Sequence, residues 1–190
     1  LAADTFMGNY TFGQFSGVSR TSPVVFEGQG IDQTYIVGDA TNSDPVVAFT
    51  DTANWITLRN IWIERPQGSL GITVQFTGSS GFNHVDSCAI LSDTTSTSSS
   101  YAAVVGSGSL NSITSNGDFG DSILISHSLI AGGYYAMRFE GDGTTYNRDI
   151  MVDSCEVLKY YYYGIYADKL DSFQLTGNYI EHDRSNDFAD

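Results

Sequence analysis

Trp55-Ile56-Thr57-Leu58-Arg59-Asn60-Ile61-Trp62-Ile63-Glu64 decides the fold, because its inner pattern Leu58-x-x-Ile61-x-Ile63 returns along the chain. A large apolar residue, two free positions, a mostly small or polar residue, one free position and a second apolar residue recur in order. The other copies are Ile31-x-x-Thr34-x-Ile36, Val85-x-x-Cys88-x-Ile90, Ile125-x-x-Ser128-x-Ile130, Val152-x-x-Cys155-x-Val157 and Leu175-x-x-Asn178-x-Ile180. Their first residues lie 27, 27, 40, 27 and 23 positions apart. A period of this size marks a solenoid, in which each unit buries its apolar face only by stacking on the next.

Helical periodicity is nearly absent. Short runs rich in Val, Ile, Tyr and Phe alternate with Gly, Asp, Asn and Ser, which reads as strands and turns. One unit predicts strands over Val46–Phe49, Ile56–Leu58 and Trp62–Glu64, and the next over Ile72–Phe76, Asn83–Val85 and Ala89–Leu91. Later units predict Tyr135–Phe139, Asp149–Val152 and Glu156–Leu158, then Gly164–Ala167, Ser172–Leu175 and Tyr179–His182. Three strands per turn with a two-residue corner is the plan of a right-handed parallel β-helix of six or seven coils. Alternation sends Leu58, Val85, Ile125, Val152 and Leu175 inward as one stack, and Ile63, Ile90, Ile130, Val157 and Ile180 as another. Loops interrupt the period at 92–100, 106–121 and 141–148, and their composition reads as solvated.

The 190 residues are expected to form a single domain, 1–190, taken from a longer chain. A formal charge of −14 repels phosphate backbones and polyuronic acids, so nucleic acid is a poor partner. No apolar run approaches the length that spans a membrane. Cys88 and Cys155 occupy equivalent positions with the Ser128 copy between them. Two coils put them about 9–10 Å apart, too far for a disulfide, so both are expected as free, buried thiols.

Val24-Val25-Phe26-Glu27-Gly28-Gln29-Gly30-Ile31, Trp55–Ile61 and Tyr163-Gly164-Ile165-Tyr166 with Leu175–Ile180 resemble the pectin-lyase-like superfamily. The last phrase looks most like β-helix repeats of large secreted bacterial surface proteins. The resemblance covers roughly residues 20–182 and rests on core and corner residues, so it implies the fold and leaves the activity open. It implies an extracellular or bacterial cell-surface location. Its first functional expectation is a non-catalytic, adhesin-like module that binds glycans or other surface chains. The alternatives are a carbohydrate-active lyase, hydrolase or epimerase with catalytic coils partly outside this segment, and a phage tailspike segment. Coil ends are expected to meet the rest of the parent chain.

The residues themselves assemble no catalytic motif. The Asn-Thr-Asp, Asp-Asp, His-Gly and Arg-Ile-Lys motifs of polygalacturonases are missing, and Tyr163-Gly164-Ile165 lacks the Asp and His that follow in epimerases. One outward row, Asp32, Arg59, Asp86, Ser126, Asp153 and Thr176, sets Arg59 between Asp32 and Asp86 and reads as an exposed ion-pair ladder. Another, Tyr35, Trp62, Ala89, Leu129, Glu156 and Tyr179, carries the candidate glycan-stacking residues Tyr35, Trp62 and Tyr179, which another chain or loop could equally cover. The run Tyr160–Tyr163 reads as an aromatic ladder against Tyr134 and Tyr135, half inside and half outside. No cofactor is expected. Glu140–Asp149 holds three carboxylates that suit Ca²⁺ but lacks the spacing of an EF-hand loop, and His84, His127 and His182 share no metal spacing.

Overall fold

The computed structural model describes residues 1–67, 71–144 and 147–182. These contain nineteen strands, numbered in chain order, and no helix, so no helix is long and apolar enough to cross a membrane. Sheet 1 holds β1 (Thr5–Met7), β4 (Tyr35–Val37), β7 (Trp62–Glu64), β10 (Ala89–Leu91), β13 (Leu129–Ala131), β16 (Glu156–Leu158) and β19 (Tyr179–Glu181). Sheet 2 holds β2 (Tyr10–Phe12), β5 (Val47–Phe49), β8 (Gly71–Phe76), β11 (Tyr101–Gly106), β14 (Tyr135–Glu140) and β17 (Tyr163–Asp168). Sheet 3 holds β3 (Val24–Glu27), β6 (Ile56–Arg59), β9 (His84–Asp86), β12 (Leu124–Ser126), β15 (Ile150–Asp153) and β18 (Phe173–Thr176). Every pairing within the sheets is parallel, and each coil runs through sheets 2, 3 and 1 in turn. The molecule is a right-handed parallel β-helix of six full coils, with β1 preceding the first.

Register follows the repeat. Leu58, Val85, Ile125 and Val152 stack in sheet 3, and Ile36, Ile63, Ile90, Ile130 and Val157 in sheet 1. All belong to one buried core, to which each fully buried side chain of this size contributes about 1.5–3 kcal/mol. Sheet 2 adds an aromatic stack, with Phe12 to Phe49 at 5.5 Å and Phe49 to Phe76 at 4.7 Å. In the last coil Leu175 and Ile180 keep this register but stay exposed, since Val152 and Val157 cover them from one side only.

The corner between sheets 3 and 1 works as the small-residue slot suggests. Ser128 Oγ accepts from the Cys88 amide at 3.1 Å and donates to the Ser126 carbonyl at 2.7 Å. Asn178 bridges the Cys155 amide (2.8 Å) and the Val152 carbonyl (2.8 Å). Cys88 and Cys155 are free and buried, and burial pushes their pKa values up to about 12 and about 11. The residue before every slot but the first turns the chain through the left-handed region: Asn60, Ser87, His127 and Ser154 have φ of 57°, 52°, 48° and 53°, and Gly177 has 65°.

Four expectations change. Ile31 is not an inward residue: Phe26 pairs with Leu58, and Ile31 lies 41% exposed in a turn. The first corner is five residues longer than the others, because Gly28–Gln33 loop out before Thr34 returns to the slot. A Cβ at Gly28 would lie 2.3 Å from the Asn60 carbonyl oxygen, so the chain crosses there only as glycine. Asp32 therefore leaves the charged row, and Glu27 faces Arg59 instead. The segment 106–121 is not simply solvated either. Gly106 sits in register between Phe76 and Phe139, leaving a gap in the aromatic stack. Phe119 fills it from the inserted loop, fully buried, 5.9 Å from Phe139. Finally, Tyr160 alone of the tyrosine run packs against the core, because the chain bends at 161 and 162 before β17 starts. Thr145 and Tyr146 of the 141–148 loop lie outside the described residues.

Candidate functional site

The outward row of sheet 1 is in register from end to end: Tyr35, Trp62, Ala89, Leu129, Glu156 and Tyr179 pair in sequence. Tyr35 and Trp62 sit together, ring centroids 6.0 Å apart and tilted by 53°. Tyr179 does not join them. It stands four strands from Trp62, about 19 Å at strand spacing, with its hydroxyl donating to Glu181 Oε2 at 2.5 Å. The three candidate residues thus form one pair and one separate ring.

Between them the row dips, because Ala89 is small and buried. Beside Trp62 opens a depression of about 340 Å³ with an aliphatic floor of Leu91, Leu129, Ala131 and Leu158. Its rim carries Glu64, Gln67, Ser92, Thr94 and Lys159. The Trp62 indole N–H donates to Glu64 Oε2 at 2.9 Å, which fixes the ring at that rim. Arg65, also in the lining, is buried and donates to the carbonyls of Ile72 (3.1 Å), Asn42 (3.0 Å) and Asp44. An aromatic edge, an apolar floor and a hydrogen-bonding rim on rigid strands suit a ligand with one apolar face and several hydroxyls.

On sheet 3 the charged row becomes a cluster around Asp86. Arg59 Nε lies 3.1 Å from Asp86 Oδ2, Ser126 Oγ donates to Oδ1 at 2.7 Å, and His127 Nδ1 lies 3.1 Å from Oδ1. His84 Nε2 is 2.8 Å from Ser126 Oγ. The serine proton goes to Asp86, so His84 donates through Nε2. Partial burial raises the Asp86 pKa, but the hydrogen bonds from Ser126 and His127, with His84 and Arg59, outweigh it and hold the carboxyl below its usual range. Burial pulls the His84 pKa down, against the attraction of Asp86 and with help from Arg59 and His127. Ser126 is only 3% exposed and its hydroxyl is engaged, so the cluster clamps three coils together rather than presenting a nucleophile. The sequence row holds Arg59, Asp86 and Ser126; the parts played by His84 and His127 follow from parallel register, which puts residues 42 apart in contact.

Sheet 2 carries the tyrosines on its outer face. Tyr135 stacks on Tyr163 at 5.5 Å and 3°, and Tyr134 on Tyr162 at 5.2 Å. Arg138 lies between the rings of Tyr166 (4.3 Å) and Tyr135 (4.8 Å) and pairs with Glu140. Lys169 Nζ approaches the same carboxylate at 3.8 Å, so Glu140 is committed within the cluster. Among the described residues no group of three or more His, Cys, Asp or Glu is arranged to hold a metal ion.

The geometry defines an all-β solenoid with ordered side surfaces. No protein-family model, no curated protein and no solved structure matches the chain.

Proposed function

We propose that this chain is a rigid, non-catalytic β-helix module of an extracellular bacterial surface protein, of the pectin-lyase-like kind, that binds glycans on sheet 1. The observation that carries the reading is the Trp62 indole fixed at the rim of an aliphatic depression by Glu64. A pyranose ring has an apolar C–H face for the indole and the leucines, and hydroxyls for Glu64, Gln67 and Thr94. The net charge of −14 favours neutral over anionic polysaccharide. Tyr35 extends the aromatic wall by one coil, and Tyr179 serves only a chain long enough to cross about four coil spacings.

Titration with neutral oligosaccharides, followed by tryptophan fluorescence, tests this. A saturable response that Trp62→Ala weakens at least tenfold, and Tyr179→Ala leaves unchanged for short ligands, is expected. No response across a broad neutral panel, or a response unaffected by Trp62→Ala, overturns it.

A further inference from the structure

A second, independent surface lies at the corner between sheets 2 and 3. Trp55, Phe82, Ser122 and Asp149 each stand three residues before the stacked core residues Leu58, Val85, Ile125 and Val152, and so share one row. Backbone bonds confirm the alignment: the Phe82 amide donates to the Asp121 carbonyl, and the Ser122 amide to that of Arg148. All four residues have positive φ, 59°, 55°, 55° and 53°, so their side chains leave the corner in the same direction. Bulky side chains avoid this conformation. Trp55 and Phe82 nevertheless adopt it and stack at 4.2 Å and 7°, with Phe82 47% exposed.

One face of the Phe82 ring lies against Trp55. The other points along the row toward Ser122, where no ring continues the stack, and the next position is the exposed carboxylate Asp149. The row therefore has a notch one coil wide, with an aromatic face on one side and a carboxylate on the other. Phe82 and Asp149 stand two coils apart, about 10 Å, which leaves space for one flat group between them. Asp121 adds a second carboxylate beside Ser122, and Arg148 is turned toward Asp171, at 3.5 Å. The same chain shows what such an environment holds: the Arg138 guanidinium lies on two tyrosine rings and pairs with Glu140.

We propose that this notch receives the guanidinium of an arginine in a basic segment of a partner protein. A guanidinium is planar, stacks on an aromatic face and pairs with a carboxylate, whereas an ammonium has no plane to stack. A cationic partner also complements the charge of −14.

The test uses the whole chain with Trp62→Phe, so that Trp55 is the reporting indole. Acetyl-Gly-Arg-Gly-amide is titrated against its lysine counterpart. The arginine peptide is expected to shift Trp55 emission saturably and to bind at least tenfold tighter than the lysine peptide. Asp149→Asn is expected to weaken it about tenfold. Phe82→Asn keeps a residue suited to positive φ, so it is expected to raise the thermal midpoint while abolishing binding. Equal binding of the two peptides, retention of binding in Phe82→Asn, or a fall in its midpoint overturns the proposal. So does a response of this indole to neutral oligosaccharide and not to the arginine peptide.

Discussion

Asp86 gathers side chains from three coils, and its chemistry sets how the molecule answers to pH. The folded-state pKa of His84 is lowered, so the unfolded chain binds more protons as pH falls. Its stabilising contribution is whole above the ordinary histidine pKa of about 6.5 and is lost as pH falls through the lower folded value. The folded pKa of Asp86 is depressed as well. Its contribution is present above about pH 4 and disappears below, as pH passes the folded value. The thermal midpoint should therefore drop from pH 7 to pH 5 and again below pH 4. His84→Gln, which keeps a donor for Ser126, should flatten the first drop and leave the second. Calorimetry across this range checks it, and an unchanged slope between pH 7 and 5 would contradict the role given to His84. The sequence displays Asp86 and Arg59 as neighbours because they recur at one repeat position. Ser126 holds the same position one copy on, across the 40-residue step, but the repeat does not display the bonds that His84 and His127 add to the cluster.

Among the elements, the inserted loop after β11 shows how composition can conceal a core residue. Its Ser, Gly and Asn content reads as solvent-facing, yet Phe119 completes the stack that Gly106 leaves open. Gln75 ties the loop down, its amide donating to Ser107 Oγ (2.9 Å) and to the Ser109 carbonyl (2.9 Å) and accepting from the Asn111 amide (3.0 Å). The signal in the sequence is indirect: Phe49, Phe76 and Phe139 share a column in which residue 106 is glycine. Phe119→Ala should cost about 3–5 kcal/mol in urea unfolding, the usual loss for a buried phenylalanine. Leu110→Ala, on the exposed part of the same loop, should change stability by less than about 0.5 kcal/mol. Equal small effects would show that the loop does not complete the core. The first corner fails legibility for the opposite reason. Ile31 satisfies the apolar pattern by position, but Phe26 satisfies it by register, and only the glycine crossing at 28 separates the two.

Across the whole molecule, the repeat fixed strands, corners and inward stacks with few exceptions, because each of those residues packs against its own counterpart one coil away. Surface function is less legible for the same reason: outward residues answer to a ligand or a neighbour, and the repeat does not constrain them. Both proposed surfaces depend on the rows holding their spacing, Tyr35 and Trp62 on sheet 1 and Phe82, Ser122 and Asp149 at the corner. Nitroxide labels on Tyr35→Cys and Tyr179→Cys, five strands apart in one row, measure that spacing by double electron–electron resonance. Cys88 and Cys155 are buried with raised pKa values and do not compete for the label. Five coil steps predict a narrow distribution near about 24 Å, widened only by the label linkers. A broad distribution, or one centred at twice that distance, would contradict the stacked solenoid and both surfaces built on it.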